Sequence, residues 1–394
     1  MNKSKFLRWS LLICVFTIPL YQQLSVKILV ALFLLSIFKK LKIKAIFYNS
    51  WDILLYILVL IIGVMYSNDT SSGLRVLETN FSFVALPLLF SSAFLAEEDI
   101  FKDILISFIL GLAFACAVCL CHSIISFLHT SSTGAFFFYQ FTSIIDFQPT
   151  YFAYYLCFAI SVILYFTHYD KNKYPPWISV GLICFFFSIQ MLTAGKTAYV
   201  AMLLIFSFFI LKSLFSDKRS FTTRLTFRIS ILLLICMLSF NYFDVNALLN
   251  HTTENSDYWE RIPLWKAALK ANPSFLFGVG TGDYKIVLND YFRDHGLEQY
   301  AKSSFNSHNQ FIQTFFSNGL LGLLSLILLM GRPLYLSVKF QNVLGIMTFF
   351  SFFIYGMTEV FLGRYQGVVF FAFLHQCFIS HYNSQNIPLT RKGV

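Results

Sequence analysis

Apolar runs separated by short polar stretches extend over almost the whole chain. Twelve runs are candidate membrane spans, at approximately residues 9–21, 24–38, 51–66, 81–96, 104–128, 149–167, 177–193, 197–215, 229–245, 308–330, 342–358 and 364–381. A helix needs about 20 apolar residues to cross the hydrocarbon core of a bilayer. The first two runs are short, and a re-entrant pair is the alternative for them. The pattern predicts an all-α polytopic membrane protein with about 12 transmembrane helices, forming a single membrane domain over residues 1–394.

The composition supports this class and excludes a water-soluble one. Of the 394 residues, 57% are hydrophobic and 12% are charged, and the mean hydropathy is +0.67. A soluble domain has roughly 25% charged residues. The net charge of +10 does not indicate a nucleic-acid partner, because the basic residues are dispersed between apolar runs and form no stripe. The bilayer is the expected partner.

The basic residues predict the orientation. Most of the 29 Lys and Arg residues fall in alternate polar stretches, on the side that also holds both termini. Loops rich in Lys and Arg stay in the cytoplasm. Both termini are therefore expected in the cytoplasm, and the longest polar segment, residues 246–307 between helices 9 and 10, is expected on the opposite side as one large periplasmic loop.

Cysteine and histidine patterns give no sign of a disulfide framework, a metal site or a cofactor. All eight cysteines lie in apolar runs, and the C-x-x-C of Cys116 and Cys119 lies mid-span, where core packing is the better interpretation. In the long loop no His pairs with another His or Cys at ligand spacing, and the carboxylates are scattered. Any catalysis is expected to be metal-independent, with no cofactor.

The first chemical candidate in the loop is Arg261, within DYWERIPLWKAALKANP. Because a proline is tolerated only in a first helical turn, Pro263 predicts a helix that starts near Glu260 and stops before Pro273. Arg261 would then lie at a helix N-terminus, where free N–H groups and the guanidinium can hold a diphosphate. The alternative is an ordinary surface arginine beside interfacial aromatic residues. The expected apolar stripe, lying along the membrane surface, comprises Tyr258, Trp259, Ile262, Trp265, Ala268 and Leu269.

Two further motifs follow in the loop. In GVGTGDY, Gly278 and Gly280 fit a tight turn and not a nucleotide fingerprint, because position 283 is Asp. In FNSHNQF, Asn306 or Ser307 is the expected N-cap of the next span, and His308 is expected in its first turn. A neutral imidazole there can accept a proton from a hydroxyl. A hydrogen bond from His308 to local backbone is the alternative.

Three charged residues stand at other outer joints between spans. Lys196 lies in TAGKTAY, and Glu359 and Arg364 lie in TEVFLGRYQ. Charges at membrane depth need a role or a partner. Lys196 can supply a second cation for an anionic headgroup, or Glu359 and Arg364 can pair with each other or with Lys196.

Taken in order, RIPLW, NPSFLFGVGTGDY, SHNQF and the following N-G-x-x-G resemble the bacterial O-antigen ligase and O-antigen polymerase superfamily. The resemblance covers about residues 190–330. It implies a metal-independent, inverting glycosyltransferase of the bacterial inner membrane, acting in lipopolysaccharide or surface polysaccharide biosynthesis. Such an enzyme moves a glycan from undecaprenyl diphosphate to a sugar hydroxyl, on a glycan or on lipid A core.

The resemblance also implies site residues and partners. Catalysis would fall to His308 and Arg261 and diphosphate binding to Arg261 and Lys196, where Lys replaces the family's arginine. The supporting residues would be Asn309, Trp265, Gly278, Gly280, Glu359 and Arg364. Other polysaccharide-assembly membrane proteins are possible partners. Ligase and polymerase remain open, and the alternative function is a non-catalytic flippase or exporter of lipid-linked glycan.

Overall fold

The computed structural model describes residues 3–37, 43–91, 99–169, 175–193, 196–214, 228–233, 235 and 258–385. Within these ranges the regular elements are helices, without a strand, which confirms the all-α class for the described residues. The helices are α1 (Lys3–Thr17), α2 (Gln22–Ile37), α3 (Ile43–Met65), α4 (Thr70–Thr79), α5 (Ser82–Ser91), α6 (Asp99–Thr130), α7 (Phe138–Thr142), α8 (Pro149–Tyr169), α9 (Pro176–Thr193), α10 (Lys196–Leu214), α11 (Tyr258–Lys270), α12 (Tyr284–Asp294), α13 (Glu298–Lys302), α14 (Gln310–Lys339), α15 (Val343–Gly356) and α16 (Tyr365–Gln385). Short 3-10 turns occur at Thr133–Phe136, Ser143–Ile145 and Phe361–Gly363.

The protein is a multi-pass membrane protein by the length and hydropathy of its helices. Five segments are long and apolar enough to cross a membrane: Ile46–Met65, Thr70–Phe90, Ile100–Thr130, Pro149–Tyr169 and Gln310–Lys339. Every predicted span except the ninth coincides with a described helix. Several of these helices are apolar but shorter, at 10–17 residues. Of the ninth span, only residues 228–233 and 235 are described. The number twelve therefore stays a prediction.

Helix α8 forms the centre of the bundle, because 89% of its most apolar stretch is buried, against 50% for α6. It packs against α6, α9, α10 and α15. The outer helices instead leave large apolar side chains exposed, such as Leu110 and Phe114 on α6 and Leu324 on α14. A face of this kind suits lipid tails and not water.

The long loop is folded. Its described part, residues 258–307, contains α11, α12 and α13, whose Leu264, Ala268, Leu288 and Phe292 pack together and against Phe316 of α14. The buried face of α11 comprises Leu264, Ala267 and Ala268, whereas Leu269 of the expected apolar stripe is 49% exposed. Whether the stripe lies along the membrane surface stays a prediction. The buried face packs against α12 and α14. Residues 246–257 and the side chains of Tyr258, Trp259 and Glu260 lie outside the description.

Helix α4 was not predicted, since its polar residues were assigned to a short loop between two spans. It begins after Asp69, whose side chain accepts a hydrogen bond from the Ser72 N–H at 2.9 Å. This is a standard N-cap. The helix lies at the end of the bundle that carries the long loop, which we call the loop end, because Asn68 and Asp69 both donate to Asp283 of the loop.

Candidate functional site

The carboxylate of Glu359 joins the two residues that the sequence singled out for catalysis. Its Oε1 lies 3.6 Å from a terminal nitrogen of Arg261, and its Oε2 lies 3.6 Å from Nδ1 of His308. The side chains of Arg261 and Glu359 are only 14% and 11% exposed, and that of His308 is 27% exposed. Three separate parts of the chain, namely α11, the segment before α14 and the segment after α15, therefore meet at one half-buried point of the loop end.

The backbone around His308 differs from the predicted helix turn. Asn309 is the N-cap of α14, and its Oδ1 accepts hydrogen bonds from the N–H groups of Phe311 and Ile312 at 2.9 and 3.0 Å. His308 therefore precedes the helix. It has φ +44°, and its N–H donates to Oδ1 of Asn306 at 2.8 Å. The prediction that Asn306 or Ser307 caps the helix is wrong, because the Asn306 side chain is used to hold this turn.

The left-handed turn directs His308 toward Glu359. Within the described residues its Nδ1 has no hydrogen-bond partner, although it is buried. The separation of 3.6 Å from Glu359 exceeds a hydrogen bond, which needs about 3.2 Å or less. A small rotation of either side chain would close this gap. Catalytic hydrogen bonds are often this loose before substrate binds.

Side chains of α14 fix the two segments that carry His308 and Glu359. Nδ2 of Asn309 donates to the carbonyl of Met357 at 3.1 Å. Oε1 of Gln310 accepts from the N–H of Leu362 at 2.8 Å, so the Glu359 segment is held on both sides. Sequence reasoning did not find Gln310; an amide in the first turn of a span was the available signal.

Arg261 lies in the first turn of α11, as expected from the proline pattern. Trp265 lies four residues later, so both project from one face of the helix. The indole Nε1 of Trp265 is buried, and it has no hydrogen-bond partner among the described residues. A buried indole N–H usually has one. It is a free donor beside Arg261.

Lys196 begins α10, and its side chain lies outside the described part of the structure. The next residue, Thr197, shares a hydrogen bond of 2.8 Å with the hydroxyl of Thr358. The first turn of α10 therefore lies beside the Glu359 segment. Whether Lys196 contacts the cluster stays a prediction.

Arg364 does not join the cluster. It is exposed, and the ion pairs of the described residues do not include it. The alternative in which Glu359 pairs with Arg364 is wrong, since Glu359 faces Arg261 and His308 instead. The extended backbone of Arg364 separates it from Glu359 across the 3-10 turn Phe361–Gly363.

The GVGTG segment forms a turn that packs on a break in α14. Gly278 has φ +72°, and a Cβ there would lie 2.5 Å from the carbonyl oxygen of Phe316. Gly280 follows with φ +108°. The N–H groups of Val279 and Gly280 donate to the carbonyls of Phe316 and Ser317 at 3.0 and 2.9 Å. These glycines therefore allow loop backbone to contact helix backbone.

The break in α14 occurs at Gly319, which has φ +62° and ψ −158°. The N–H of Leu320 then donates to the carbonyl of Phe275 at 2.8 Å, in place of a bond within the helix. Two glycines one helical turn apart, as Gly319 and Gly322 are, usually indicate close packing of one helix against another. At Gly319 that interpretation is wrong, because a Cβ there would lie 2.2 Å from the backbone of Leu276, which belongs to the loop.

Asp283, the residue that breaks the nucleotide pattern, has a structural role. Its two carboxylate oxygens accept from the N–H groups of Asn68 and Asp69 at 2.8 and 2.7 Å. The side chain is buried. The carboxylate attaches the loop to the segment between α3 and α4. A glycine at position 283 would have no side chain to accept these hydrogen bonds.

A second charged cluster, which sequence reasoning missed, lies at the opposite end of the bundle. Asp52 of α3 is fully buried, and its carboxylate lies 2.6 Å from a terminal nitrogen of Arg332 and 2.6 Å from Nε2 of His375. The signal was available, since each residue interrupts or borders an apolar run. The cluster of Asp52, Arg332 and His375 joins α3, α14 and α16 at a distance from His308.

The described cysteines and potential metal ligands carry no further site. The seven described cysteines, Cys14, Cys116, Cys119, Cys121, Cys157, Cys184 and Cys377, are free thiols. Cys236 lies outside the described residues. Where the chain is described, no three His, Cys, Asp or Glu side chains converge as a metal site.

Comparison with known proteins finds a match to a family model over part of the chain. Residues 180–327 match the family model described as O-Antigen ligase. The resemblance to the O-antigen ligase and polymerase superfamily is thereby confirmed for this part of the chain, which includes Arg261 and His308. Glu359 lies beyond the matched residues.

A relative from Haemophilus influenzae, described as an uncharacterized protein, is 28% identical over 152 residues. This alignment covers 34% of the chain and 37% of the relative. The chain thus spans little more than a third of the length of the curated relative it matches.

Proposed function

From the O-antigen ligase match over residues 180–327, we propose that this protein is a glycosyltransferase of the O-antigen ligase or polymerase type. It takes a glycan from undecaprenyl diphosphate and joins it to a sugar hydroxyl of a glycan or lipid A core acceptor. The observation that carries the proposal is the convergence of Arg261 and His308 on the Glu359 carboxylate, each at 3.6 Å.

His308 acts as the base that receives the acceptor proton. Glu359 faces Nδ1 and stabilises the imidazolium that forms, while Nε2 is directed at the acceptor hydroxyl. A carboxylate that orients a histidine in this way is a recurring arrangement in hydrolases and transferases. The hydroxyl oxygen attacks the anomeric carbon as the bond to the diphosphate oxygen breaks, so the configuration at that carbon inverts.

Arg261 stabilises the diphosphate as it leaves. Negative charge develops on the departing oxygen in the transition state, and a cation fixed beforehand stabilises it most effectively. Arg261 lies in the first turn of α11, where the helix dipole adds to its charge. Glu359 holds the guanidinium in place until the diphosphate takes over the contact. Lys196 supplies the second cation, as a point charge without the paired contacts of an arginine.

The chemistry takes place at the loop end, which we assign to the periplasmic face of the bacterial inner membrane. Both termini are then cytoplasmic. The donor lipid reaches the site from the bilayer, and the acceptor reaches it from the aqueous side. Because a diphosphate is already a good leaving group, the site needs no acid to protonate it and no metal.

The test compares, on a gel, the ladder of surface glycans from cells whose only copy of the gene encodes the wild type or one variant. Arg261→Ala, His308→Ala and Glu359→Gln are expected to abolish glycan transfer or shorten the ladder to one repeat. Membrane levels of each variant are measured by immunoblot. Arg293→Ala and His295→Ala are matched controls, since both residues are exposed in the same loop, and they are expected to leave the ladder intact.

Two outcomes would count against the proposal. A full ladder in the Arg261 and His308 variants would show that the cluster is not the active site. A lost ladder with lipid-linked glycan trapped on the cytoplasmic face would support the flippase alternative, because an enzyme lacking its base accumulates donor on the periplasmic face.

A further inference from the structure

A cavity of about 170 Å³ lies at the loop end between α3, α4, α12 and α14. At about 30 Å³ for each water molecule it would hold about six of them. This leaves room for a sugar ring, and the cavity is partly open to its surroundings. None of the residues proposed for the reaction lines this cavity.

One wall is a polar stripe on a membrane helix. Gln310, Gln313, Thr314, Ser317 and Asn318 of α14 line the cavity, and each is buried. Their spacing of three and four residues places them on one helix face. Polar side chains in a membrane span are costly unless they face a partner or a polar cavity. Several of them already bond within the protein, such as Gln310 to Thr314 and Asn318 to Thr281, so the stripe makes this wall of the cavity polar and fixes its shape.

The opposite wall contains a side-chain oxygen, Oδ1 of Asn80, that accepts no hydrogen bond from the described residues. Asn80 lines the cavity and is 1% exposed. Its Nδ2 donates to the carbonyl of Val76 at 2.9 Å, but its buried Oδ1 has no hydrogen-bond partner among the described residues. An unsatisfied buried carbonyl of this kind costs about 1–3 kcal/mol. A ligand hydroxyl directed at Oδ1 would remove that cost.

The charge of the lining is unbalanced. Arg75 and Lys285 both line the cavity, whereas no Asp or Glu does. Both cations are exposed. Asp69 lies near Arg75, but its carboxylate already caps α4. A ligand with hydroxyl groups and one negative charge fits these walls.

We infer that this cavity is a binding subsite for one acidic sugar residue of the glycan. The carboxylate of the sugar contacts Arg75 and Lys285, and its hydroxyls contact Asn80 and the polar stripe of α14. The inference rests on the proposed function, since it assigns the substrate class of the same reaction.

The subsite shares its wall with the proposed active site. Gln310 accepts from Leu362, and Oε1 of Gln313 accepts from the N–H and hydroxyl of Ser307, both at 3.2 Å. Leu362 and Ser307 belong to the segments that hold Glu359 and His308. A sugar bound in the cavity therefore contacts the helix turn that positions the reacting groups.

The experiment measures binding without catalysis. Full-length protein in lipid nanodiscs is mixed with glucuronate, glucose or inorganic pyrophosphate, and saturation transfer to each compound is recorded by NMR. Glucuronate is expected to bind, with about tenfold weaker affinity in Arg75→Gln, as for the loss of one charge-assisted hydrogen bond. Arg293→Gln and His308→Ala are expected to bind it like the wild type, and glucose is expected to bind more weakly.

Other results would overturn the inference. One is that glucuronate does not bind the wild type, and another is that it binds Arg75→Gln as well as the wild type. If glucose binds as tightly as glucuronate, the charge of the sugar has no role in binding. If pyrophosphate binding, and not glucuronate binding, depends on Arg75, the cavity holds the diphosphate instead.

The glycan ladder of cells that carry each variant distinguishes the sugar subsite from the proposed function. An intact ladder in Arg75→Gln together with a lost ladder in Arg261→Ala would overturn the sugar subsite alone. An intact ladder in both variants would overturn the proposed function.

Discussion

Loss of the buried carboxylate of Asp52 is expected to destabilise the helix bundle without touching the active site. Asp52 and His375 are both 0% exposed, and Arg332 is 14% exposed at its side chain. Removing one partner from a buried ion pair costs about 3–5 kcal/mol, because the remaining charge stays buried without compensation.

The structure favours the lower end of that range for Asp52→Asn. The guanidinium of Arg332 also donates to the carbonyls of Asn49 and Tyr48 at 2.8 and 2.9 Å, so it keeps two partners. An asparagine oxygen can still accept one hydrogen bond. We therefore expect a loss of about 3 kcal/mol in the free energy of unfolding.

The assay is unfolding by sodium dodecyl sulfate in mixed micelles, followed by circular dichroism of the helices. Asp290→Asn is the matched control. It breaks an exposed pair with Arg293 at 2.9 Å, and such pairs contribute at most about 1 kcal/mol. If Asp52→Asn costs no more than Asp290→Asn, the buried network does not hold the helices together.

Three further perturbations follow from single residues. Gly319→Ala is expected to lower the free energy of unfolding by roughly 3 kcal/mol in the same assay, because the positive φ of Gly319 and its contact with loop backbone exclude a Cβ. The control Gly331→Ala has open space for a Cβ and should be neutral or slightly stabilising. Equal effects of the two substitutions would refute this reasoning. Asn309→Ala is expected to lower the free energy of unfolding by about 1–2 kcal/mol and to lower glycan transfer, since the substitution removes the N-cap of α14 that positions His308, the proposed base. A variant as stable and as active as the wild type would contradict this prediction. Hydrogen bonds from Ser72 lower the pKa of Asp69, so the stability that its carboxylate gives α4 is complete above the unfolded-state value and is lost as pH falls through the lower folded-state value. The protection of α4 amides against hydrogen exchange, corrected for the intrinsic rate at each pH, should therefore fall at acid pH in the wild type but not in Asp69→Asn.

Local sequence signals predicted the helices well. Apolar runs of sufficient length identified the bundle helices, and Pro273 correctly predicted where α11 (Tyr258–Lys270) ends. The start was predicted less well, because Pro263 lies inside the helix and not in its first turn. Arg261 and His308 were selected because a cation at a helix N-terminus and a histidine at the entry to a span have definite chemical uses. These signals are local, so they can be read from neighbouring residues.

Signals that depend on distant partners were missed or misread. Glu359 was assigned to a pair with Arg364 as one alternative, because the two are five residues apart. Its actual partner Arg261 lies nearly a hundred residues earlier. The spacing of Gly319 and Gly322 favours helix packing for the same reason, since no neighbouring residue reveals that loop backbone lies against Gly319.

The sequence by itself determined that the chain is helical and that it has apolar segments suited to a membrane, and it predicted the chemistry in the long loop, because hydropathy and helix signals act over a few residues. Only the tertiary structure decided which charges meet. The distances from Glu359 to Arg261 and His308, the burial of Asp52 between Arg332 and His375, and the polar cavity beside α14 all depend on how helices pack. Packing is fixed by contacts between residues far apart in the chain, and no local pattern encodes those contacts.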